Sequence, residues 1–268
     1  MNESVTRTLS GIVYIILLIA STLYSEISFL VLFGLFMLLS VLEFCNLVGF
    51  NKLHAVLLAA LFIIYTLFAK NSLGNNITIN LATLIISVIL ILDLFKNGAS
   101  GQRNDIAKAV LLIGYVILPF VLLAKYPFKG AEYNPYLIIG AFIIIWTNDT
   151  FAYIIGKTMG RTKLFERISP KKTIEGFLGG LIFALIGSYI LSIFYNFQSA
   201  AVWMGAGTIL VIFGTLGDLV ESKFKRVAGV KDSGNIMPGH GGILDRLDSI
   251  IFAIPFLFLY YQIINYVS

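Results

Sequence analysis

Apolar stretches long enough to cross a lipid bilayer fill most of this chain. Hydrophobic residues make up 58% of its 268 residues and charged residues only 12%, whereas a soluble domain carries about 25% charged residues. A soluble fold with this few charged residues would expose a mostly apolar surface to water. The outer surface of this protein must therefore face lipid. Because a helix needs about 20 apolar residues to span the hydrocarbon core, the sequence predicts an all-α, polytopic bundle of transmembrane helices.

Nine stretches fit this requirement, with soft bounds. They are 9–25, 27–49, 54–69, 78–95, 106–125, 135–156, 174–196, 200–221 and 243–266. The third stretch is short, and only Ser25 and Glu26 separate the first two, so counts of eight or ten spans stay open. No internal repeat and no second soluble domain is visible. We therefore expect one integral membrane domain, 1–268, with an N-terminal helical region, 1–135, and a region that carries the candidate site, 136–268.

The basic residues are divided unequally between the two sides that nine spans define. One side collects 16 of the 19 basic residues: Arg7, Lys52, Lys96, Arg103, Lys108, Lys157, Arg161, Lys163, Arg167, Lys171, Lys172, Lys223, Lys225, Arg226, Lys231 and Arg246. The other side holds Lys70, Lys125 and Lys129. The positive-inside rule then predicts a cytoplasmic N-terminus and an outside C-terminus.

The start of the chain allows a second interpretation, because Arg7 followed by an apolar run is also typical of a secretory leader. No clear small-x-small cleavage site follows the run, which favours a retained helix. The single cysteine, Cys45, excludes a disulfide framework and a cysteine-based metal cluster.

Two predicted cytoplasmic loops, 157–173 and 222–242, carry ten of the sixteen inside charges. The second lies within the segment 217–249, GDLVESKFKRVAGVKDSGNIMPGHGGILDRLDS, which holds five acids, five bases, one histidine and six glycines. Acids stand three positions apart at its start, Asp218 and Glu221, and at its end, Asp245 and Asp248, and this spacing places each pair on one helical face. Ionisable groups at membrane depth are functional candidates.

These residue types suit a metal-assisted reaction of phosphates. Carboxylates from two helix ends offer the oxygen ligands that Mg²⁺ prefers, and the glycines of the PGHGG run let backbone amides approach an anion. The alternative without a functional site is an ordinary helix start at the membrane interface. Its acids would be stabilised by the helix dipole, and its lysines would only determine the orientation of the chain in the membrane. The density of charge in so apolar a chain favours a site.

A second group of polar residues lies upstream. Asn148 and Asp149 fall within the sixth span, and 169–176 reads SPKKTIEG. Asn148 and Asp149 should face protein or a wet cavity, although a buried pair satisfied by a neighbouring helix is the alternative. Ser169 and Thr173 can cap a helix or bind phosphate, Lys171 and Lys172 add positive charge, and Glu175 is a candidate partner for one of these lysines. Glu43 and Asp93 receive no role.

Together these residues resemble the signature of the phosphatidate cytidylyltransferases, also called CDP-diacylglycerol synthases. The resemblance rests on 222–226 (SKFKR), 231–232 (KD), 238–242 (PGHGG) and 245–248 (DRLD), with the upstream stretches 148–149, 156–157 and 169–176. It covers about 140–250 firmly. Met237 departs from the leucine, isoleucine or phenylalanine usual in that family at this position, but it preserves the bulk of the side chain.

The resemblance implies an Mg²⁺-dependent membrane enzyme, commonly dimeric, that joins CTP to phosphatidic acid and releases pyrophosphate. It implies metal ligands at Asp218, Asp245 and Asp248, to which we add Glu221, and catalytic phosphate-facing groups at Lys225, Arg226, Lys231 and His240. Further residues are expected to bind substrate or its phosphates: Asn148, Asp149, Ser169, Lys171, Lys172, Thr173, Ser222, Lys223, Gly241, Gly242 and Arg246. A second cation is allowed by this arrangement.

The expected partners are CTP, phosphatidic acid, membrane lipids and a second copy of the chain, without nucleic acid. The expected location is the cytoplasmic membrane, with the active site facing the cytoplasm. Two rival functions stay open. One is another CTP-using lipid enzyme, such as a polyprenol kinase, which would release CDP. The other is an ion-coupled transporter, although such proteins often show repeated halves.

Overall fold

The chain folds into long apolar helices joined by short loops. The computed structural model describes residues 3–68, 73–96, 103–129 and 132–267. Its helices are α1 (Glu3–Tyr24), α2 (Glu26–Val48), α3 (Lys52–Phe68), α4 (Leu73–Phe95), α5 (Asp105–Leu111), a π-helical segment (Leu112–Ile117), α6 (Leu118–Lys125), α7 (Pro135–Met159), α8 (Ile174–Phe194), α9 (Ala200–Val227) and α10 (Leu244–Val267). This arrangement confirms the predicted all-α, polytopic bundle.

Apart from one or two residues at some of their ends, all nine predicted apolar stretches are helical where the structure describes them. Ala69 and Lys70, at and after the end of the third, lie outside the described residues. By length and composition, eight helices in the described part of the chain are able to cross a membrane. The third stretch, α3, has 17 residues. At about 1.5 Å per residue it is shorter than a hydrocarbon core of about 30 Å.

Ser25 explains why the first two apolar stretches do not merge into one helix. It caps α2, since its Oγ accepts a hydrogen bond from Ser28 N at 3.1 Å and its own N–H donates to Ser28 Oγ at 3.0 Å. This reciprocal arrangement satisfies amide groups that a helix start leaves unpaired. A sharp break of one residue therefore separates α1 from α2.

The fifth predicted span, 106–125, contains an irregularity that the sequence analysis did not predict. The π-helical segment separates α5 from α6, and Pro119 follows in the first turn of α6. Proline has no N–H to donate to the carbonyl four positions earlier, and a wider turn accommodates this loss. The span continues across the segment as one apolar unit from Asp105 to Lys125.

Four helices, α7 to α10, pack closely and form the frame of the candidate site. Glycines permit the close approach: a Cβ atom at Gly180 of α8 would lie 2.5 Å from Asn148 Oδ1 of α7. One large hydrophobic core runs from α1 and α2 through α6 and α7 to α10. The helices of the N-terminal region are therefore packed against those that carry the candidate site.

Short hairpins lie between some of the helices. Strands β1 (Phe128–Lys129) and β2 (Glu132–Tyr133) pair antiparallel, as do β3 (Lys163–Phe165) and β4 (Ser169–Thr173). The second hairpin lies within the predicted loop 157–173. The predicted loop 222–242 is shorter than expected, because α9 continues to Val227. Lys225 and Arg226 in the last turn of α9 interact favourably with the negative end of the helix dipole.

Candidate functional site

The candidate site lies where the C-terminal turns of α9 meet the first turns of α10. Gly217 permits this contact, because a Cβ atom there would lie 2.5 Å from Phe252 Cβ and 2.7 Å from the Asp248 carbonyl oxygen. Asp218 and Glu221 follow on α9, and Asp248 approaches from α10. The Glu221 side chain is fully buried and Asp248 is 8% exposed. Asp218 and Asp248 repel each other electrostatically, so the site needs positive charge.

Two lysines supply that charge within the protein itself. Lys225 Nζ lies 2.5 Å from Glu221 Oε2 and 2.6 Å from Asp245 Oδ1. Lys172 Nζ, from β4, lies 2.5 Å from Asp218 Oδ2. Charged pairs shielded from water interact strongly only when their hydrogen-bond geometry is good. The two lysines thus connect acids of α9 and α10 with the hairpin that precedes α8.

Asp245 also shapes the glycine-rich loop. Its Oδ2 accepts hydrogen bonds from Ser233 N at 2.8 Å, Ser233 Oγ at 2.9 Å and Gly242 N at 2.7 Å. Gly241 has a φ of +88°, a conformation that glycine adopts without steric cost, and a Cβ there would lie 2.6 Å from Asp245 Oδ2. The acid therefore fixes both ends of the loop while pairing with Lys225.

Glu43, to which the sequence analysis gave no role, is a second anchor of this loop. It is buried in α2 and accepts hydrogen bonds from Ile243 N at 3.0 Å, Leu244 N at 2.8 Å and Ser233 Oγ at 3.2 Å. A Cβ at Gly242 would lie 2.5 Å from Glu43 Cδ. The one sequence signal for this role was a carboxylate inside an otherwise apolar span.

The upstream acid and amide lie next to this cluster. Asn148 Nδ2 donates to Asp149 Oδ1 at 3.2 Å, and Asn148 is buried. Asp149 interacts electrostatically with Lys172, Asp218 and Arg246. Asn148 Oδ1 is buried and has no hydrogen-bond partner among the described residues. α7 therefore contributes polar groups to the same region as α9 and α10.

The other predicted residues of the hairpin have local structural contacts. Thr173 is the N-cap of α8, since its Oγ1 accepts a hydrogen bond from Gly176 N at 3.1 Å. Ser169 and Lys171 lie on β4, and Lys171 is exposed.

Glu175, a candidate partner for Lys171 or Lys172, pairs with no lysine among the described residues. It accepts hydrogen bonds from the backbone amides of Arg161, at 3.0 Å, and Thr162, at 3.1 Å. These bonds tie the start of the hairpin to the first turn of α8. Lys172 remains the residue of this hairpin that pairs with an acid of α9.

Three predicted residues near the end of α9 point in different directions. Ser222 Oγ donates to Asp218 Oδ1 at 3.2 Å. Lys223 pairs instead with Asp93 of α4, whose Oδ2 lies 2.9 Å from its Nζ and 3.2 Å from Arg103. Arg226 is exposed and donates to the Val230 carbonyl at 3.3 Å. Ser222 thus joins the acids, whereas Lys223 and Arg226 contact α4 and the start of the loop.

His240 contacts the first helix. Its Nδ1 lies 2.7 Å from Ser10 Oγ of α1, and Arg246 donates to its carbonyl oxygen at 3.0 Å. Partial burial and the nearby positive charges of Arg246 and Arg7 lower the pKa of the His240 imidazole below its ordinary value of 6.5. These surroundings therefore favour the neutral form of the ring.

The acids of the cluster have oxygen donors of the type that Mg²⁺ prefers. Glu221 Oε1 is buried and has no hydrogen-bond partner within the described part of the chain. No three His, Cys, Asp or Glu side chains among the described residues form a ready ligand group, and Lys225 lies between Glu221 and Asp245. The donor chemistry fits a divalent cation, and the ligand set of Asp218, Glu221, Asp245 and Asp248 stays a prediction.

Comparison with known proteins gives consistent matches. A sequence model described as the cytidylyltransferase family matches residues 5–264. A Staphylococcus aureus protein named phosphatidate cytidylyltransferase is 38% identical over 258 residues, 94% of this chain and 96% of that protein. A protein of the same name from Staphylococcus saprophyticus is 50% identical over 155 residues, which is 57% of this chain and 58% of that protein.

Proposed function

Because the chain belongs to the cytidylyltransferase family, we propose that it transfers the cytidylyl group of CTP to phosphatidic acid, forming CDP-diacylglycerol and pyrophosphate for phospholipid synthesis. Among the observations on the molecule, one carries this proposal. It is the network in which Lys172 pairs with Asp218 and Lys225 pairs with Glu221 and Asp245, with the buried Asp248 nearby, at one end of two apolar helices. A site at a helix end lets a nucleotide from water meet a lipid in the membrane.

The reaction joins two anions, so its main obstacle is electrostatic repulsion. A phosphate monoester has a second pKa of about 6, so the phosphate of phosphatidic acid is largely a dianion at neutral pH, and CTP approaches it as a tetra-anion. Catalysis then consists mostly of positioning and charge neutralisation. Lys172 and Lys225, which pair with carboxylates in the structure, would exchange a carboxylate partner for a substrate phosphate.

The bond changes need no strong general base. An oxygen of the lipid phosphate forms a bond to the α-phosphorus of CTP, while the bond from that phosphorus to the bridging oxygen of the β-phosphate breaks. The bridging electrons leave with pyrophosphate, and no proton has to be removed from the nucleophile. His240 then acts as a hydrogen-bonding or positioning group.

Mg²⁺, held by acids from the predicted set and accompanied by a second cation if one binds, would supply further positive charge to the phosphates. The contribution of the chain itself is to keep its acids together. Asp245 orders the loop, Glu43 holds the start of α10, and the close contact at Gly217 keeps α9 beside α10.

We further propose that the enzyme lies in the cytoplasmic membrane as a homodimer, with the site at the cytoplasmic face. The excess of basic residues on the side of loops 157–173 and 222–242 supports this orientation. The dimer is tested by measuring the mass of the solubilised protein after subtracting the contributions of bound detergent and lipid. A monomer mass would reject the dimer.

The deciding experiment combines purified protein, phosphatidic acid, CTP and Mg²⁺ and identifies the products. Liponucleotide and pyrophosphate in equal amounts are expected. Release of CDP with a phosphorylated polyprenol would favour the kinase alternative. Uptake of a labelled solute into liposomes without consumption of CTP would favour a transporter.

A further inference from the structure

A cavity of about 640 Å³ lies between the beginning of α1 and the glycine-rich loop. Its lining includes three cationic side chains and one imidazole: Arg7, Lys231, Arg246 and His240. Arg7 comes from α1, Arg246 from α10, and the other two from the loop. Three separate parts of the chain therefore line this cavity, on the side of the predicted cytoplasmic loops.

Direct contacts hold α1 against this loop. Ser10 Oγ lies 2.9 Å from the Pro238 carbonyl oxygen as well as 2.7 Å from His240 Nδ1. A Cβ at Gly11 would lie 3.2 Å from His240 Cε1, and one at Gly239 would lie 2.5 Å from Arg7 Cγ. Close packing at Gly11 and Gly239 therefore places Arg7 at the cavity.

The charge of the cavity suits a polyanion. Arg7, Lys231 and Arg246 are cationic, and Asp232 is the acid among the described lining residues. Guanidinium groups form strong charge-assisted hydrogen bonds with phosphate oxygens. The complementary ligand therefore carries several negative charges.

The cavity also adjoins the acid network. Arg246 directly follows Asp245 in α10, and Gly241 lines the cavity while a Cβ built on it would lie 2.6 Å from Asp245 Oδ2 and 3.2 Å from Asp232 Cβ. A polyphosphate in the cavity would therefore have its inner end next to the acids. Of the lining side chains, Met237 and Pro238 are the apolar ones, which offers little surface for acyl chains.

We propose that this cavity binds the β- and γ-phosphates of the nucleotide, and hence the pyrophosphate that leaves, and that Arg7 of α1 is one of the groups that contact them. The inference rests on the proposed cytidylyl transfer. When the α-phosphorus changes partner, the electron pair of the broken bond stays on pyrophosphate, and the cavity cations stabilise the developing charge. The lipid phosphate is the other source of the same chemistry.

The test compares Arg7→Gln with Lys52→Gln, which removes an exposed basic residue at the start of α3. Binding of inorganic pyrophosphate to the full chain in detergent is measured by calorimetry, and KM is measured separately for CTP and for phosphatidic acid. Arg7→Gln should weaken pyrophosphate binding and raise KM for CTP by about tenfold, as expected for loss of one charge-assisted hydrogen bond. Lys52→Gln and the wild type should agree within about twofold.

The conservative variant Arg7→Lys separates charge from packing and should recover part of the pyrophosphate affinity. Amount in the membrane and thermal unfolding show whether each variant is folded. Unchanged pyrophosphate binding and KM for CTP in folded Arg7→Gln would overturn the inference. A rise confined to KM for phosphatidic acid would assign the cavity to the lipid phosphate and overturn its assignment to pyrophosphate.

Failure of this inference is distinguishable from failure of the proposed function. If the wild type makes CDP-diacylglycerol and Arg7→Gln behaves like Lys52→Gln, then only the role of Arg7 is rejected. If the wild type forms no liponucleotide from CTP and phosphatidic acid, then the proposed function itself is rejected, whatever binds in the cavity.

Discussion

Single carboxylates in this protein have different structural partners although they are close in sequence. Asp248 is almost fully buried and accepts a hydrogen bond from Ser249 N at 2.7 Å. Asp245 accepts three hydrogen bonds from the loop and pairs with Lys225. The same substitution at these two positions should therefore have different consequences for the fold and similar consequences for the chemistry.

Asp245→Asn and Asp248→Asn should each lower turnover by at least about a hundredfold, a loss of the size seen when one group that stabilises a transition state is removed. Asp248→Asn keeps the oxygen that accepts from Ser249 and should leave the loop ordered. Product formation with CTP and Mg²⁺ and protease resistance of 228–243 are measured, with Asp105→Asn as the exposed control. Near-normal turnover in either variant would reject its place in the predicted metal set.

Glu43→Gln should weaken the attachment of the loop to α2. A glutamine has one acceptor oxygen, so one of the two amides at the start of α10 would face an NH₂ group, and an unsatisfied buried donor costs about 1–3 kcal/mol. We expect a lower unfolding temperature and a lower kcat, with a smaller effect on KM for CTP. Glu26→Gln, at the exposed start of α2, is the control. A kcat equal to that of the control would contradict the positioning role.

His240 should make pyrophosphate binding depend on pH. Its pKa is lowered in the free protein by partial burial and by the charges of Arg246 and Arg7. Lys231 and Asp232 line the same cavity, and Ser10 Oγ lies next to the ring. A bound polyanion favours the protonated ring, so the protein with bound ligand takes up a proton more readily than the free protein as the pH falls. The ratio of wild-type to His240→Asn affinity should rise from pH 8 to pH 5.5. A constant ratio would show that His240 does not titrate with the ligand.

Among the helices, the contact between α9 and α10 decides whether the acids meet. Side chains normally separate the backbones of two packed apolar helices. Gly217 has no side chain, so the backbone of α9 approaches that of α10 closely at Asp248. The π-helical segment and the second hairpin serve the same region indirectly, because they set the course of the fifth span and bring Lys172 to Asp218.

Gly217→Ala should separate α9 from α10 and lower both stability and turnover. The added methyl group would overlap with Phe252 Cβ and the Asp248 carbonyl, and such overpacking costs about 1–3 kcal/mol. Gly187→Ala in α8 is the matched control, because its Cβ would meet its nearest atom at 3.8 Å. Thermal unfolding and product formation are compared. Equal behaviour of the two variants would show that the close contact is dispensable.

Across the whole molecule, the distribution of basic residues predicts the direction of insertion, and this prediction is testable without any assay of activity. Cys45 is the single cysteine, so a Cys45→Ala background allows single-site labelling. Lys163→Cys and Phe197→Cys place exposed thiols at opposite ends of α8. In intact cells an impermeant maleimide should label Phe197→Cys only, and after lysis it should label both. The opposite pattern would reverse the predicted topology.

Several properties were predictable from the order of residues alone. The apolar stretches predicted the helical bundle, because lipid requires long apolar helices whatever their partners. The charged and glycine-rich segment 217–249 located the candidate site, because charge at membrane depth is costly and rarely retained without a use. The family followed from the same segment and is shown by the match over residues 5–264.

Tertiary structure alone decided which side chains meet. Glu43 contacts Ser233 and Leu244, and Ser10 contacts His240, across 190 or more positions in the sequence. Lys223 pairs with Asp93 of α4 and not with the acids of α9 and α10. Periodicity along one helix shows which face is apolar, but it contains no information on which helix covers that face. Such pairings depend on helix crossings set by glycines and core side chains, so the partners of the site became visible only in the folded chain.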